Sequence, residues 1–300
     1  MGSALVTGST GYLGAKIAAR VPGVMPWRGD LREADPFSGV NPAGITEIYH
    51  CAAITRFNVD AASARAVNVD GSKRVFDFAR RCPHLERLVH LSTLYVSGLD
   101  AGDVHPTPLA EPCAFANEYE RSKWQAETLL NEFYDDLPWQ IHRIATVVAD
   151  DESGRIVQHN VLHNTLRLMR HGLLPLIPGD PTVPIYLVTG DDAVNSIVAA
   201  TGLQRVFHVC PDLREAPSLG ELMDIAWVSL ANQRLRIQPP FCPLEIFRNL
   251  VRGAPAGVLA QALASVLPFA PQLYVAKNIA SSLNPTSSTR GLFEATVKQL

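Results

Sequence analysis

Long apolar runs, paired cysteines and clustered basic residues are all missing from this chain. No segment reaches the roughly 18 consecutive apolar residues of a spanning helix. The apolar stretch Val258 to Val266 is closed by Pro268 and Pro271, so no membrane span is expected. The cysteines, Cys51, Cys82, Cys113, Cys210 and Cys242, are scattered, odd in number and never spaced Cys-x-x-Cys. Neither a zinc knuckle nor a disulfide framework is suggested, and reduced thiols in a cytoplasmic compartment are expected. The formal net charge is -3 and no run of Lys or Arg occurs. That removes the electrostatic footprint of a nucleic-acid binder. Met1 leads straight into a strand pattern, with no basic stretch ahead of an apolar one, so no signal peptide is expected. His159 and His163 stand at i,i+4 but lack a His-Glu-x-x-His setting; they read as structural or surface residues, and no metal is expected. Asp135-Asp136 and Asp150-Asp151-Glu152 read as solvated caps and loops.

Of 300 residues, 47% are hydrophobic and 18% charged, enough for a sizeable core in one large domain, or in one domain with a smaller appendage. Strand patterns fall at Ala4 to Val6, Val24 to Trp27, Glu47 to Ala53, Leu88 to Leu91 and Gln140 to Val148. Helical spacing runs through Leu13 to Ala19, Asp60 to Arg80 and Tyr119 to Phe133. This alternation predicts an α/β fold, a Rossmann-type doubly wound parallel sheet with helices on both faces. After Asp150, helical stretches at Val157 to His171, Asp191 to Thr201 and Leu219 to Leu230 mix with Pro-rich segments. A smaller, mostly helical C-terminal substrate-binding region is expected over 151–300. The dinucleotide-binding domain is expected over 1–150, with returning elements from about 185–210.

Ligands of such sheets bind beyond the carboxyl ends of the strands, and the motifs lie there. Thr7-Gly8-Ser9-Thr10-Gly11-Tyr12-Leu13-Gly14 follows the first strand and opens a helix. Gly8 suits the sharp turn, Gly11 a close approach to a pyrophosphate, and Gly14 helix–strand packing. The helix N-terminus then offers N–H groups and a positive dipole end to phosphates. Arg28 follows the second strand, where its planar fork is placed to hold the 2′-phosphate of NADP; an acidic residue there would favour NAD. Tyr119 and Lys123 stand one helical turn apart on one face. A neighbouring ammonium lowers a phenol's pKa from about 10, which would make Tyr119 a general acid/base near neutrality. Ser92-Thr93 ends the fourth strand, where a hydroxyl can bond a substrate oxygen.

The Gly-x-x-Gly-x-x-Gly loop with Tyr119-x-x-x-Lys123 resembles the extended branch of the short-chain dehydrogenase/reductase superfamily, over roughly residues 3 to 200. The resemblance implies that Thr93, Tyr119 and Lys123 form the catalytic set. It implies that Asp30-Leu31 lies along adenine, and that the small residues of His50-Cys51-Ala52-Ala53 let the cofactor lie against the backbone. Asn68, in Asn68-Val69-Asp70-Gly71, would help fix the central strands; Tyr95 would shape the substrate pocket. The full cofactor set it implies is Thr7, Gly8, Thr10, Gly11, Tyr12, Leu13, Gly14, Arg28, Asp30, Leu31, Cys51, Ala52, Ala53, Asn68, Tyr119, Lys123 and Ile144. Ile144 departs from the proline common after Arg143, and Val96-Ser97-Gly98 from the usual Val-Tyr-Gly.

Ser92-Thr93-Leu94-Tyr95-Val96, His50-Cys51-Ala52-Ala53 and Tyr119-x-x-Ser122-Lys123-Trp124-x-Ala126-Glu127 are most similar to the thioester reductases, including fatty acyl-CoA reductases. Arg143 with Ser153-Gly154, and Asp191-Asp192-Ala193 at a helix start closing the pocket, fit the same group. The implied reaction is hydride transfer from NADPH, with NAD second, to an acyl thioester carried by coenzyme A or a carrier protein. The product is an aldehyde, or an alcohol after further reduction. The apolar segments from Leu173 to Tyr186 and after Pro239 suit either an acyl chain or plain core. Other readings stay open: a ketone or alcohol dehydrogenase, a sugar-nucleotide epimerase or dehydratase, and a non-catalytic NADP-binding sensor. The last typically loses the tyrosine or lysine kept here. A homodimer through the Tyr119 helix is a further implication.

Overall fold

The computed structural model describes residues 2–202, 204–230, 237–282 and 288–300. They divide into two compact units, one of Met1–Gly98, Pro106–Ala145 and Ala193–Val209, the other of Leu99–His105, Thr146–Asp192 and Cys210–Leu300.

The first unit is built on six parallel strands: β1 (Ser3–Thr7), β2 (Val24–Pro26), β3 (Ile45–His50), β4 (Arg87–Thr93), β5 (Trp139–Ile144) and β6 (Val206–Val209). Their order across the sheet is β2-β1-β3-β4-β5-β6. Strands β4 and β5 are buried almost throughout, as a parallel sheet covered on both faces requires. The chain steps outward from β1 to β2 and returns to β3 on the other side of β1. The β1/β3 junction is therefore the switch point at which ligands bind in open α/β sheets.

Helix α1 (Tyr12–Arg20) follows β1, and α4 (Glu118–Phe133) precedes β5. The single helix expected over 60–80 is instead α2 (Ala61–Ala64), a π-helical turn at Arg65–Val69 and α3 (Asp70–Arg80). A π turn inserts an extra residue into the helical ladder and shifts the side chains that follow. Asn68, within that turn, is fully buried. Its amide receives Ile54 N–H at 2.8 Å and donates to Ile54 C=O and Ser122 Oγ, each at 2.9 Å. Those bonds are what the wider turn makes reachable.

Two strand boundaries differ from expectation. The strand expected to reach Ala53 stops at His50. Its small residues continue as irregular chain because the Gly8 turn occupies the adjoining space. The strand expected over 140–148 ends at Ile144, and Thr146–Ala149 pairs instead with Leu187–Thr189. The break falls at Ala145, whose N–H bonds Val209 C=O at 3.0 Å.

Between β2 and β3 the described chain forms no strand. Residues 27–44 seal the core with side chains instead. Phe37, 1% exposed, lies with its ring 5.0 Å from Trp27 and 4.6 Å from Phe78, and the Trp27 indole donates to Pro36 C=O at 3.1 Å.

The regular elements of the second unit are mainly helices, at Val161–Arg170, Leu219–Ser229, Leu244–Gly253, Val258–Ala264 and Thr289–Gln299, set in longer irregular chain. Short parallel pairs join Gly102–Val104 to Lys277–Ile279 and Ile177–Pro178 to Phe241–Cys242. Leu174, Ile177, Cys242 and Phe247, from the segments weighed as acyl-chain lining, are buried in this unit's own core with Leu166, Met169, Leu222 and Phe293. Asp150, expected to be solvated, is buried and paired with Arg155. The histidine pair reads out as a helix start: His163 Nδ1 accepts Asn160 N–H at 3.0 Å, and its Nε2 donates to Val148 C=O at 2.8 Å. Among the described residues no helix is long and apolar enough to cross a membrane.

Truncating the stacked ring, Phe37→Ala, should cost about 3–5 kcal/mol. Urea unfolding followed by circular dichroism measures it, with Met25→Ala, partly exposed on β2, as a near-neutral control.

Candidate active site

At the first strand–helix turn, Gly8 takes φ +66°. A Cβ there would sit 2.7 Å from Ala52 N, and one on Gly14 would sit 2.2 Å from Gly8 O. Backbone cannot yield at those distances, so both positions require glycine. The loop is thus pressed against the chain leaving β3, with the start of α1 pointing out of it. Gly11 is the N-cap, and no side chain caps the helix. This is a cradle of backbone N–H groups at a positive helix end, the arrangement that binds phosphates. The residues therefore fit a dinucleotide.

Other expected cofactor residues are placed as follows. Thr10 is exposed and Tyr12 and Leu13 are partly exposed on the first turn of α1. Cys51, Ala52 and Ala53 are partly exposed just past β3. Arg28 is exposed two residues beyond β2. Asp30 is held by Arg32 through a fork of contacts, at 2.6 Å and 3.0 Å, and a backbone bond at 2.9 Å. That fork holds the Asp30 carboxyl down at about 2. Leu31 and Ile144 are core side chains, Leu31 lying over Gly71.

The catalytic candidates meet where β4 ends and α4 begins. Asn117 caps α4 by accepting Glu120 N–H at 3.0 Å, while Glu120 reaches back to Ala116 N–H at 3.1 Å. Acidic residues in the first turn suit the helix dipole. This sets Tyr119 in the first turn, beside the Thr93 hydroxyl. Phe57, its ring 5.7 Å from Tyr119 and 6.3 Å from Tyr95, walls the same space.

Below the phenol the face of the sheet turned toward α4 is polar. Lys123 is 3% exposed, and its ammonium lies 3.2 Å from His90 Nε2. Glu127, one turn on, takes the Ser92 hydroxyl and a two-pronged Arg143 guanidinium at 2.7 and 3.0 Å. Arg143, with no exposed surface, also donates to His208 Nε2 at 3.2 Å. Nearer β1, Ser72 donates to Asn68 C=O at 2.6 Å, so its oxygen accepts from His50 Nε2 at 2.8 Å. His50 Nδ1 then accepts from Thr7 Oγ1 at 2.8 Å.

The electrostatics correct one expectation. Lys123 was expected to lower the Tyr119 pKa. Burial instead raises it above the ordinary tyrosine value, against the lowering effect of the nearby Thr93 hydroxyl, and the ammonium lies against His90. Burial lowers Lys123 to about 8, opposed by Glu127. Burial, aided by the Lys123 charge, lowers His50 to about 3 and His90 well below its usual range. Both rings are neutral at physiological pH.

Sequence reasoning missed His50 and His90 as site residues, saw Glu127 only as a helical neighbour, and overlooked Phe57. The legible signal was a polar residue inside an apolar strand, as in Leu88-Val89-His90-Leu91. A cleft of about 580 Å³ lined by Glu47, Tyr49, Arg87, Trp139 and Arg205 lies at the opposite end of the sheet, where β4 and β5 begin. It takes no part in this constellation.

The fold and the glycine loop define the class: a Rossmann-type NAD(P)-binding protein. The family model described as Male sterility protein, an NAD-binding family, matches residues 42–197. The chain belongs to that family. The glycine loop lies ahead of the matched span. Fatty acyl-CoA reductase 1 of Arabidopsis thaliana is 23% identical over 234 residues, covering 59% of this chain and 48% of the relative. The chain spans about half the length of the curated relatives it matches, or less. The terminal R domain from the myxalamid PKS-NRPS biosynthetic pathway superposes with TM-score 0.77 at 18% identity, over 100% of this chain and 90% of that one. A thiolation-reductase di-domain from an archaeal non-ribosomal peptide synthetase gives 0.73 at 16%, over 99% and 74%.

Two outcomes follow. Glu127→Ala, which strands a buried guanidinium, should cost about 3–5 kcal/mol in denaturant unfolding. Gly14→Ala should abolish binding of the reduced dinucleotide, NADH or NADPH, read as loss of the cofactor's fluorescence enhancement, while the far-ultraviolet spectrum stays that of a folded protein.

Proposed function

We propose that this protein is an NADPH-dependent reductase of acyl thioesters, with Thr93, Tyr119 and Lys123 as its catalytic set. The observation that carries the reading is the meeting of Thr93, at the end of β4, with Tyr119, in the first turn of α4, the phenol being held protonated by burial. A phenol that keeps its proton at neutral pH is a general acid, the role that reduction of a carbonyl demands.

The glycine cradle and α1 would hold the pyrophosphate, with Cys51, Ala52 and Ala53 along the dinucleotide. Arg28 would take the 2′-phosphate. The Arg32 fork on Asp30 supports the same preference, because it cancels the carboxylate that would repel a phosphate. When bound, the nicotinamide supplies a hydride to the carbonyl carbon. Thr93 orients the carbonyl oxygen and Tyr119 protonates it. Collapse of the resulting hemithioacetal breaks the carbon–sulfur bond and releases a thiol and an aldehyde. Lys123 would bond the ribose hydroxyls and keep positive charge behind the phenol. Phe57 and Tyr95 would flank the reacting carbonyl. The fatty acyl-CoA reductase relative supports a coenzyme A thioester; the thiolation-reductase relative supports a carrier-bound one.

The test is NADPH oxidation followed at the cofactor's absorbance band, with acyl-CoA thioesters of graded length and the corresponding aldehydes, repeated with NADH. Thioester-dependent oxidation preferring NADPH is expected. Oxidation only with ketones or sugar nucleotides would overturn the reading. Tyr119→Phe should lower kcat about 10²–10⁴-fold with NADPH affinity kept. Because the Lys123 ammonium persists below about pH 8 and is lost above it, NADPH affinity should fall as pH rises through about 8.

A further inference from the structure

The buried face beneath Tyr119 holds a group that the proposed reaction does not use. His90 lies in the middle of β4, fully buried. Its Nε2 is 3.2 Å from Lys123 Nζ, and its Nδ1 has no hydrogen-bond partner. A buried polar atom without a partner is costly, so this histidine is not explained as filler. An apolar residue of similar size would pack against Phe76, 5.7 Å away, without that cost. The imidazole does supply an acceptor for a buried ammonium.

Its protonation follows from its bonds. Lys123 is a donor only, so His90 Nε2 must carry the lone pair and Nδ1 the proton. Around this pair stand His50, whose ring is 5.2 Å from that of His90 on the neighbouring strand, Cys51 just past β3, and Glu127 and Tyr119 on α4. Glu127 is the one carboxylate among them, and it is engaged by Arg143 and Ser92. The two histidines are neutral. His90 Nε2 is accordingly the acceptor that faces the ammonium from the sheet.

We propose that His90 is a positioning residue for Lys123: its neutral Nε2 holds the ammonium charged and aimed beneath Tyr119 on the face of α4 turned toward the sheet. The inference deepens the proposed function and rests on its assignment of Lys123. Lose the acceptor and the buried amine sheds its proton at lower pH. The positive charge behind Tyr119, and the donor meant for the cofactor ribose, would then be missing near neutrality. His90 acts through Lys123 and touches no reacting atom.

The test needs neither substrate nor cofactor. The chain has only five lysines, Lys16, Lys73, Lys123, Lys277 and Lys298, so ¹³Cε-lysine NMR resolves each, with Lys123 assigned by its loss in Lys123→Arg. Titration of the wild type, His90→Gln and His90→Leu gives the amine midpoint in each. Glutamine keeps an acceptor; leucine removes it. The Lys123 midpoint should fall by about one pH unit or more in His90→Leu and stay within about half a unit in His90→Gln. An unmoved midpoint in His90→Leu, or an equal fall in both variants, overturns the proposal. Should His90→Leu not fold, ¹⁵N-histidine spectra of the wild type decide it. The Nδ1–H tautomer supports the proposal, and the Nε2–H tautomer overturns it. Failure of the reductase reading would show separately, as absent thioester-dependent NADPH oxidation in a protein whose lysine titrates as described.

Discussion

Everything at the proposed site hangs on one buried ion pair. Glu127 on α4 and Arg143 on β5 meet with almost no water contact. Their remaining valences are filled by Ser92 on β4 and His208 on β6. Such a pair contributes little net stability, because desolvation offsets attraction. Its contribution is geometric. Three strands and one helix are locked in rotation about a single carboxylate, which fixes which face of α4 looks at the sheet. Lys123, one turn before Glu127, is thereby committed to the interior. Tyr119, one turn before that, is brought to the rim where β4 ends.

The polar band around that pair explains how a lysine survives in the core. Neutral histidines, hydroxyls and one amide surround it, each with a partner except His90 Nδ1. The π turn belongs to the same device. By widening the helix at Arg65–Val69 it brings Asn68 within reach of both the Ile54 backbone and Ser122, tying the loop after β3 to α4. The cradle for the dinucleotide and the helix bearing the phenol are thus joined by a few hydrogen bonds rather than by shared apolar contacts alone.

Much of this was legible in the sequence because the motifs are local. Glycines at fixed offsets after a short strand, and Tyr119 with Lys123 at one helical turn, depend only on helical period and turn sterics. The parallel sheet followed from alternating patterns. What the sequence hid was long-range. Nothing local says that Glu127 meets a residue on β5, or that His90 rather than Tyr119 receives the lysine. The break at Ala145 escaped because a strand changing sheets keeps an unbroken apolar run. Residues such as Leu174 and Phe247 look the same whether they line a ligand or fill a core, and only packing separates the two.

The strandless connection between β2 and β3 has a consequence at the sheet's margin. With no further strand in that stretch, β2 is the last rung of the ladder among the described residues. It spans three residues, and Pro26 removes the final N–H. A rung so short, and capped by a residue that cannot donate, offers little template for edge-to-edge pairing. The sheet thus ends at β2 without an adhesive border.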